Sequence, residues 1–440
     1  MFKGVAGGPD NIEERLMNIV IFETAGDNFY PVSLTRPVWE IRSGCFSQRE
    51  RIEIFLKSSG YDAGKIYYFT RDYLVPFYIE KYPELLINDL SYRNTKDNIL
   101  FINGSIIPDE RLLSLSENII ITSNGIPVAA LIEPGKISGA GTDIAESLMN
   151  AINIEKKEDS SFVNIEYIWD LIKDNGKRIT GDYKLFDKAR MKDVNNSLAI
   201  IGNKDNLYIE DDVRIDPFVC IDLSGGPVII KKGTAVHSFS RIEGPCYIGR
   251  NCVILGAKVR HGCSMGDYCR IGGEIEESIF HGYSNKYHDG FIGHSYIGEW
   301  VNLGAMTTNS DLKNDYSEVK VYLPGKRHNT GSIKAGCFIG DFVKTSIGTL
   351  ITTGASIGTG AMSVHSGAFI PYHLPPFTWF IDNRVIDTAF FGDFLESCAK
   401  ITSRRGIAFS DNHKKLLTGL YEKTDELRKK EIEKWKRAQK

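Results

Sequence analysis

The first 236 residues contain no histidine; all nine lie at His237 or later. An imidazole base is thereby excluded from the N-terminal half. Chemistry there has to rest on positioning, cations and usually Mg2+, as phosphoryl and nucleotidyl transfer do. That half also lacks a Walker run and a G-x-G-x-x-G fingerprint. The eight cysteines include no Cys-x-x-Cys pair, which argues against a zinc site. No apolar run approaches the ~18 residues of a membrane span. The formal net charge of -3 gives no bulk attraction to nucleic acid. Residues 1–16 are Gly-rich and polar, without a signal-peptide core, and read as a tail or start-site extension. Unpaired cysteines and the missing signal imply a cytoplasmic protein.

What the chain has in quantity is a six-residue beat. Ile209, Ile215 and Ile221 are six apart, as are Ile230, Val236 and Ile242, then Ile248, Ile254 and Arg260. Ile333, Ile339, Thr345, Ile351 and Ile357 keep the same step. Gly often follows the aliphatic residue, as at Ile248-Gly249, Met265-Gly266 and Ile339-Gly340. Neither a helix nor simple alternation has this period; a short strand plus a tight corner does. Each unit makes one face of a prism with its aliphatic residue inward, so a coil takes roughly eighteen residues. The beat predicts about five or six coils of a parallel β-helix. Gly, Asn and Asp should supply the positive φ of the corners. A β-sandwich with Gly-rich turns is the alternative, but its turns are not locked to six. Cys246 and Cys252, and Cys263 and Cys269, also lie six apart and read as small residues stacked in the prism.

Before the repeat the pattern is α/β. Strand-like runs at 19–22, 65–69, 99–102 and 119–122 alternate with helix-like stretches around 47–58, 73–82 and 142–152. A further strand-rich piece near 126–132 and a segment 167–186 complete it. The expected division is a 17–187 α/β domain, a 188–206 linker, a 207–395 β-helix and a 396–440 helical end. In that end, Leu416, Leu417, Leu420, Tyr421 and Leu427 fall at helical spacing, as in a packed or trimer-bracing helix.

Two regions carry candidate chemistry. Leu34-Thr35-Arg36-Pro37, with Arg42, Arg49 and Arg51 following, offers guanidinium groups that could clamp a di- or triphosphate or pair within a surface loop. The beat breaks between Gly273 and Ile297, where His281, Lys286, His288, Asp289 and His294 cluster. A histidine there could take a proton from an amine nucleophile. Backbone N–H groups at glycine corners could hold an oxyanion. The three histidines could alternatively ligate a metal or simply stack. A second break, from Thr308 to Ile333, is too long for a corner and could reach a neighbouring subunit or be a surface loop.

The runs Leu34-Thr35-Arg36-Pro37, Gly282-Tyr283-Ser284-Asn285-Lys286-Tyr287-His288-Asp289-Gly290, Gly293 to Ala305, Thr307 to Asn314 and Ile339-Gly340-Asp341 carry a family resemblance. The chain resembles the bifunctional UDP-N-acetylglucosamine pyrophosphorylase/glucosamine-1-phosphate N-acetyltransferase family, in its divergent sugar nucleotidyltransferase-like branch. The resemblance implies a nucleotidyltransferase-like α/β domain, a left-handed β-helix of hexapeptide repeats and a C-terminal helix. It makes His288 the base on the sugar amine and Asn302 its neighbour on the sugar. It places Arg260, Lys286, Phe291 and Asn309 at the sugar phosphate, with Phe291 lacking the hydroxyl of the family's Tyr. Gly304, Ala305 and Asp341 fall at the acetyl-CoA arm. Arg36, Arg42 and Arg49 become phosphate contacts. Asn103 stands at the family's metal-binding Asp among the nucleotide contacts, and the metal ligands stay undefined.

The resemblance further implies acetyl-CoA as cosubstrate, Mg2+ in the N-terminal domain, UTP or another nucleoside triphosphate, a sugar 1-phosphate, and a homotrimer. The alternative is an acyltransferase whose N-terminal domain only binds a sugar phosphate or nucleotide.

Overall fold

The computed structural model describes residues 17–438 apart from 25, 61–62, 138–140, 187–197, 365–366 and 389. The expected tail 1–16, and most of the expected linker, lie outside the described residues. The chain divides into two compact units.

The first unit comprises Met1–Thr24, Arg49–Val75 and Tyr82–Asn164. Its seven strands lie in the order Leu86–Ile87, Ala63–Phe69, Met17–Phe22, Ile99–Asn103, Ile126–Ile132, Ile119–Ser123 and Glu155–Glu158. Met17–Phe22 pairs in parallel with both its neighbours, whereas Ile126–Ile132 runs antiparallel to both of its own. The sheet is mostly parallel, as an α/β pattern requires. Continuous burial of Ile99–Asn103 and Ile119–Ser123 suits strands covered on both faces.

The second unit is Ala25–Gln48, Pro76–Lys81 and Ile165–Lys440. It takes in the Arg36 loop and the helices Ile168–Lys173 and Asn175–Asp182, which sequence reasoning had placed in the α/β domain. The reason is specific pairing. Asn175 Nδ2 donates to Gly262 O and Ser264 Oγ at 2.9 Å each, and Gly44 N donates to Asn175 Oδ1 at 2.6 Å.

The body of this unit is the expected left-handed parallel β-helix. One face is a ladder of nine strands from Leu207–Ile209 to His373–Leu374. Inward Ile, Val, Leu, Met and Cys residues make one continuous core. Full burial of each aliphatic side chain contributes roughly 1.5–3 kcal/mol. The four six-spaced cysteines sit in this core, and all eight cysteines are free thiols.

Nine rungs exceed the five or six coils expected because the ladder runs on through the first interruption and past Ile357 to Leu374, with some variation in coil length. Val228 pairs with Cys246, a step of 18 residues, but Ser264 pairs with Ile279, a step of 15. The prism is therefore continuous through the first interruption: Ile279–Gly282, Asn285–Lys286 and Phe291–Gly293 are all rung strands. The second interruption is a true insertion. Tyr296 pairs with Phe338, and between them Lys320–Leu323 and Lys326–Asn329 form an antiparallel hairpin.

The corners also differ in part from expectation. Gly233, Asn251, Gly262 and Gly360 supply positive φ as expected, but Tyr268, Tyr283, Trp300 and Phe342 hold it on successive coils, and Phe377 does so one coil beyond Gly360. The conformational cost is of order 1–2 kcal/mol per residue. Stacking offsets it: Tyr268 lies 5.0 Å from Tyr283, and Tyr283 lies 4.4 Å from Trp300. The C-terminal helices Phe391–Ser403 and Asp411–Lys423 pack on this aromatic column through Phe394, Cys398 and Leu417.

Candidate functional site

A cleft of about 690 Å3 opens on the β-helix beside the aromatic column. Asn302, Leu303, Gly304 and Ala305 line it, as do Tyr283 and Trp300. His288 lines it and is exposed. Asn302 is also exposed, its Oδ1 accepting from Asn285 Nδ2 at 3.2 Å. Gly304 is required by coil stacking: a Cβ there would lie 2.6 Å from the Ser346 backbone. Its N–H donates to Thr345 O at 3.2 Å and to Thr345 Oγ1 at 3.0 Å. That N–H is thus committed within the coils, and an oxyanion would need another donor.

Sequence reasoning missed the cleft's cations. Arg270, Lys344, Arg404 and Arg405 line it, and among the described residues no carboxylate does. Arg404 caps the helix Phe391–Ser403, so the packing of that helix on the aromatic column carries Arg404 and Arg405 to the cleft. Arg405 donates to Asn285 Oδ1 at 3.0 Å. Burial, then the nearby charges of Arg270 and Arg404, push its pKa down. Burial also lowers Lys344, which donates to Ser397 Oγ. Like charges crowded without a lining counter-ion form a site suited to a polyanion. The arginine pair lies outside the interrupted run, and no local motif marks it.

Other expected site residues have different surroundings. Lys286 is fully buried in register with Ile271, an inward position. Its ammonium donates to the carbonyls of His288 and Asp289, and burial pushes its pKa down to about 8. It braces the His288 turn rather than reaching a phosphate. Asn309 is buried and ladders to Gly293, accepting from its N–H at 2.8 Å and donating to its carbonyl at 3.1 Å. Arg260 lies outside the cleft lining, between Glu243 and Glu274 at 3.3 Å each. Phe291 is likewise absent from the lining; its N–H donates to Thr308 Oγ1 at 3.3 Å.

Asp341 and Arg36 correct the acetyl-CoA and phosphate-clamp expectations together. Arg36 is 1% exposed, and its Nη2 lies 2.7 and 2.6 Å from the two Asp341 oxygens. Glu299 Oε2 is 3.5 Å away. Thr35 Oγ1 and Glu299 N also donate to the Asp341 carboxylate, at 2.7 and 2.8 Å. Burial opposes the guanidinium charge, but Asp341 and Glu299 outweigh it and hold the Arg36 pKa above its ordinary value. The Leu-Thr-Arg-Pro run is a buried lock on the β-helix. Arg42 is engaged nearby: its Nη1 donates to Cys45 O at 2.7 Å and its guanidinium lies 5.7 Å from the Tyr247 ring centroid.

The three histidines of the first interruption point to different partners. His281 Nδ1 lies 3.0 Å from Tyr296 Oη, and burial lowers its pKa well below the ordinary value. His294 sits between Asp311 at 2.7 Å and Glu277 at 2.5 Å. Burial opposes its charge, but those carboxylates raise its pKa to about 9. Among the described residues no group of three His, Cys, Asp or Glu is arranged to hold a metal ion.

In the α/β unit, Arg49 pairs with Glu53 at 3.0 Å and lies 4.9 Å from the Tyr82 ring centroid. Asn103 is buried. Its Nδ2 donates to Thr24 Oγ1 and Pro127 O, and its Oδ1 accepts from Ser105 N and Oγ. With a neutral amide already saturated, Asn103 does not fit a Mg2+ ligand.

The family described as sugar nucleotidyl transferase matches residues 19–191. A bifunctional sugar-1-phosphate nucleotidylyltransferase/acetyltransferase of Sulfurisphaera tokodaii is 36% identical over 167 residues, 37% of this chain and 39% of that protein. A Methanococcus aeolicus protein named bifunctional protein GlmU is 27% identical over 296 residues, 60% of this chain and 70% of its own length. The solved UDP-N-acetylglucosamine acyltransferase of Francisella novicida is 17% identical, covering 49% of this chain and 74% of that one, with a TM-score of 0.28. The chain thus spans 39% of the length of the Sulfurisphaera relative it matches. No helix among the described residues is long and apolar enough to cross a membrane.

Proposed function

We propose that the chain is a bifunctional transferase of amino-sugar nucleotide synthesis. In this reading the β-helix acetylates glucosamine 1-phosphate from acetyl-CoA. The α/β domain joins the sugar 1-phosphate to a nucleotide, UTP or another, with release of pyrophosphate. The observation that carries the first half is the cleft: an exposed His288 and Asn302 beside four cations, with no lining carboxylate among the described residues. The anions of a sugar phosphate and of CoA suit Arg270, Lys344, Arg404 and Arg405. The sugar amine attacks the thioester carbonyl as His288 takes its proton; the tetrahedral adduct collapses, and the departing thiolate receives that proton. Lys286 braces the backbone that carries His288.

The test is acetyl transfer from acetyl-CoA to glucosamine 1-phosphate by the wild type and His288→Ala. Loss of the general base lowers kcat about 100- to 10,000-fold; an unchanged rate would refute the assignment.

The nucleotidyl half rests on the match of residues 19–191 and the Sulfurisphaera relative. One observation favours the second reading, a domain that binds without turnover: Arg36, Arg42, Arg49 and Asn103 all have protein partners. Pyrophosphate release from UTP or dTTP with sugar 1-phosphates and Mg2+ separates the two; no release with any pair supports the binding domain. A homotrimer fits the exposed apolar Phe218, Phe239, Met306 and Ile347, which a second copy would cover. Eight free thiols fit a reducing, cytoplasmic setting.

A further inference from the structure

A second cavity, of about 840 Å3, shares no lining residue with the cleft. Three elements wall it: the inserted hairpin Lys320–Leu323/Lys326–Asn329, the coil at Tyr372 and His373, and the last helix, Asp425–Ala438. The acetyl-transfer reading uses none of them.

The hairpin is fixed to the prism by rings. Tyr322 lies on His373 with centroids 3.6 Å apart and planes 15° from parallel. Tyr30 Oη lies 3.0 Å from His373 Nε2. The Arg327 guanidinium sits 4.0 Å from the Tyr372 ring centroid. The helix contributes Leu427, Lys430, Glu431, Lys434 and Trp435, whose spacing of three and four puts them on one face. Trp435 is held by an edge contact with Phe380 at 6.1 Å.

The lining carries four cations, Lys326, Arg327, Lys430 and Lys434, against one carboxylate. That carboxylate, Glu431, is paired with Lys434 at 3.4 Å. His373 Nδ1 is buried with no hydrogen-bond partner among the described residues. Flat rings beside excess positive charge select a ligand that joins a flat ring to phosphate. The volume falls within the range of small-molecule sites.

We propose that this cavity binds a nucleotide, its base against Tyr372 and Trp435 and its phosphates toward Lys326, Arg327 and Lys430. The nucleotide is a free nucleoside triphosphate, because the phosphates of CoA already have the cations of the first cleft. The experiment is calorimetric titration of the full chain with UTP, ATP, CoA and inorganic pyrophosphate. It compares the wild type with Arg327→Ala/Lys430→Ala, Tyr372→Ala and His288→Ala. Arg327, Lys430 and Tyr372 are exposed, so their substitution leaves the fold intact.

At least one nucleotide should bind the double variant tenfold or more weakly, by the loss of charge-assisted contacts. The same nucleotide should bind Tyr372→Ala more weakly and His288→Ala unchanged. Binding of UTP or ATP in this pattern supports the proposal; a pattern seen for CoA alone would overturn it. The proposal is overturned if no nucleotide is weakened by the double variant, if the loss follows His288→Ala instead, or if the double variant weakens pyrophosphate as much as the nucleotides.

Discussion

Asp341→Asn should unfold the β-helix unit more easily without acting on the chemistry directly. The Asp341 carboxylate receives Arg36 Nη2 at 2.6 and 2.7 Å, Thr35 Oγ1 at 2.7 Å and Glu299 N at 2.8 Å. Arg36 is 1% exposed, so water cannot replace the lost charge. Breaking a buried pair on one side costs about 3–5 kcal/mol, because the other charge stays buried and uncompensated. Glu299, 3.5 Å from Arg36, recovers part of this and favours the lower end. At roughly 2 °C per kcal/mol in a large domain, the midpoint should fall about 6–10 °C. Calorimetry of Asp341→Asn and of Arg36→Met/Asp341→Leu measures it. The double variant should recover much of the loss, since an apolar replacement of the whole pair removes the uncompensated charge. The reasoning fails if Asp341→Asn leaves the midpoint unchanged while acetyl-CoA binding weakens more than tenfold. That pair of results would put the carboxylate on the ligand.

His294 predicts a pH dependence. Its pKa is raised to about 9 from an unfolded value near 6.5, so its stabilisation is complete below about pH 6.5 and lost as pH rises through about 9. The shift corresponds to about 3 kcal/mol; urea midpoints at pH 6 and pH 10 should differ more in the wild type than in His294→Gln. Arg404→Ala/Arg405→Ala should raise KM for the anionic substrates at least tenfold, with a small change in urea stability; an unchanged KM would remove the helix from the site. Lys286→Met should cost about 1–3 kcal/mol, chiefly through the His288 carbonyl, since the Asp289 carbonyl still accepts from Met306 N at 2.8 Å, and kcat should fall as the His288 turn loosens; wild-type stability and kcat together would contradict the bracing role.

The prism was legible because the period of six has no other local explanation. Its extent was not, because short coils such as the 15-residue step from Ser264 to Ile279 shift the beat without ending it. The aromatic corners were also hidden: a positive φ at Trp300 is tolerable only because Tyr283 and Phe342 stack on neighbouring coils, which the chain order does not display.

His288, Asn302, Gly304 and Ala305 line one cleft, and their grouping was legible because they lie in one run. Lys286 carried a readable signal, since it occupies the inward position that Ile271 holds one coil earlier. Arg36 carried none: nothing local tells that Asp341, 305 residues away, completes its shell. Arg404 and Arg405 reach the cleft through the packing of a later helix, which sequence spacing does not encode.

The most direct test of the account is a co-crystal structure of the full chain with CoA and glucosamine 1-phosphate. The account predicts the sugar amine within hydrogen-bond reach of His288 and the CoA thiol beside Gly304 and Ala305, with phosphate groups on Lys344, Arg404 or Arg405. A sugar amine and thiol bound away from His288, with that cleft empty, would contradict it.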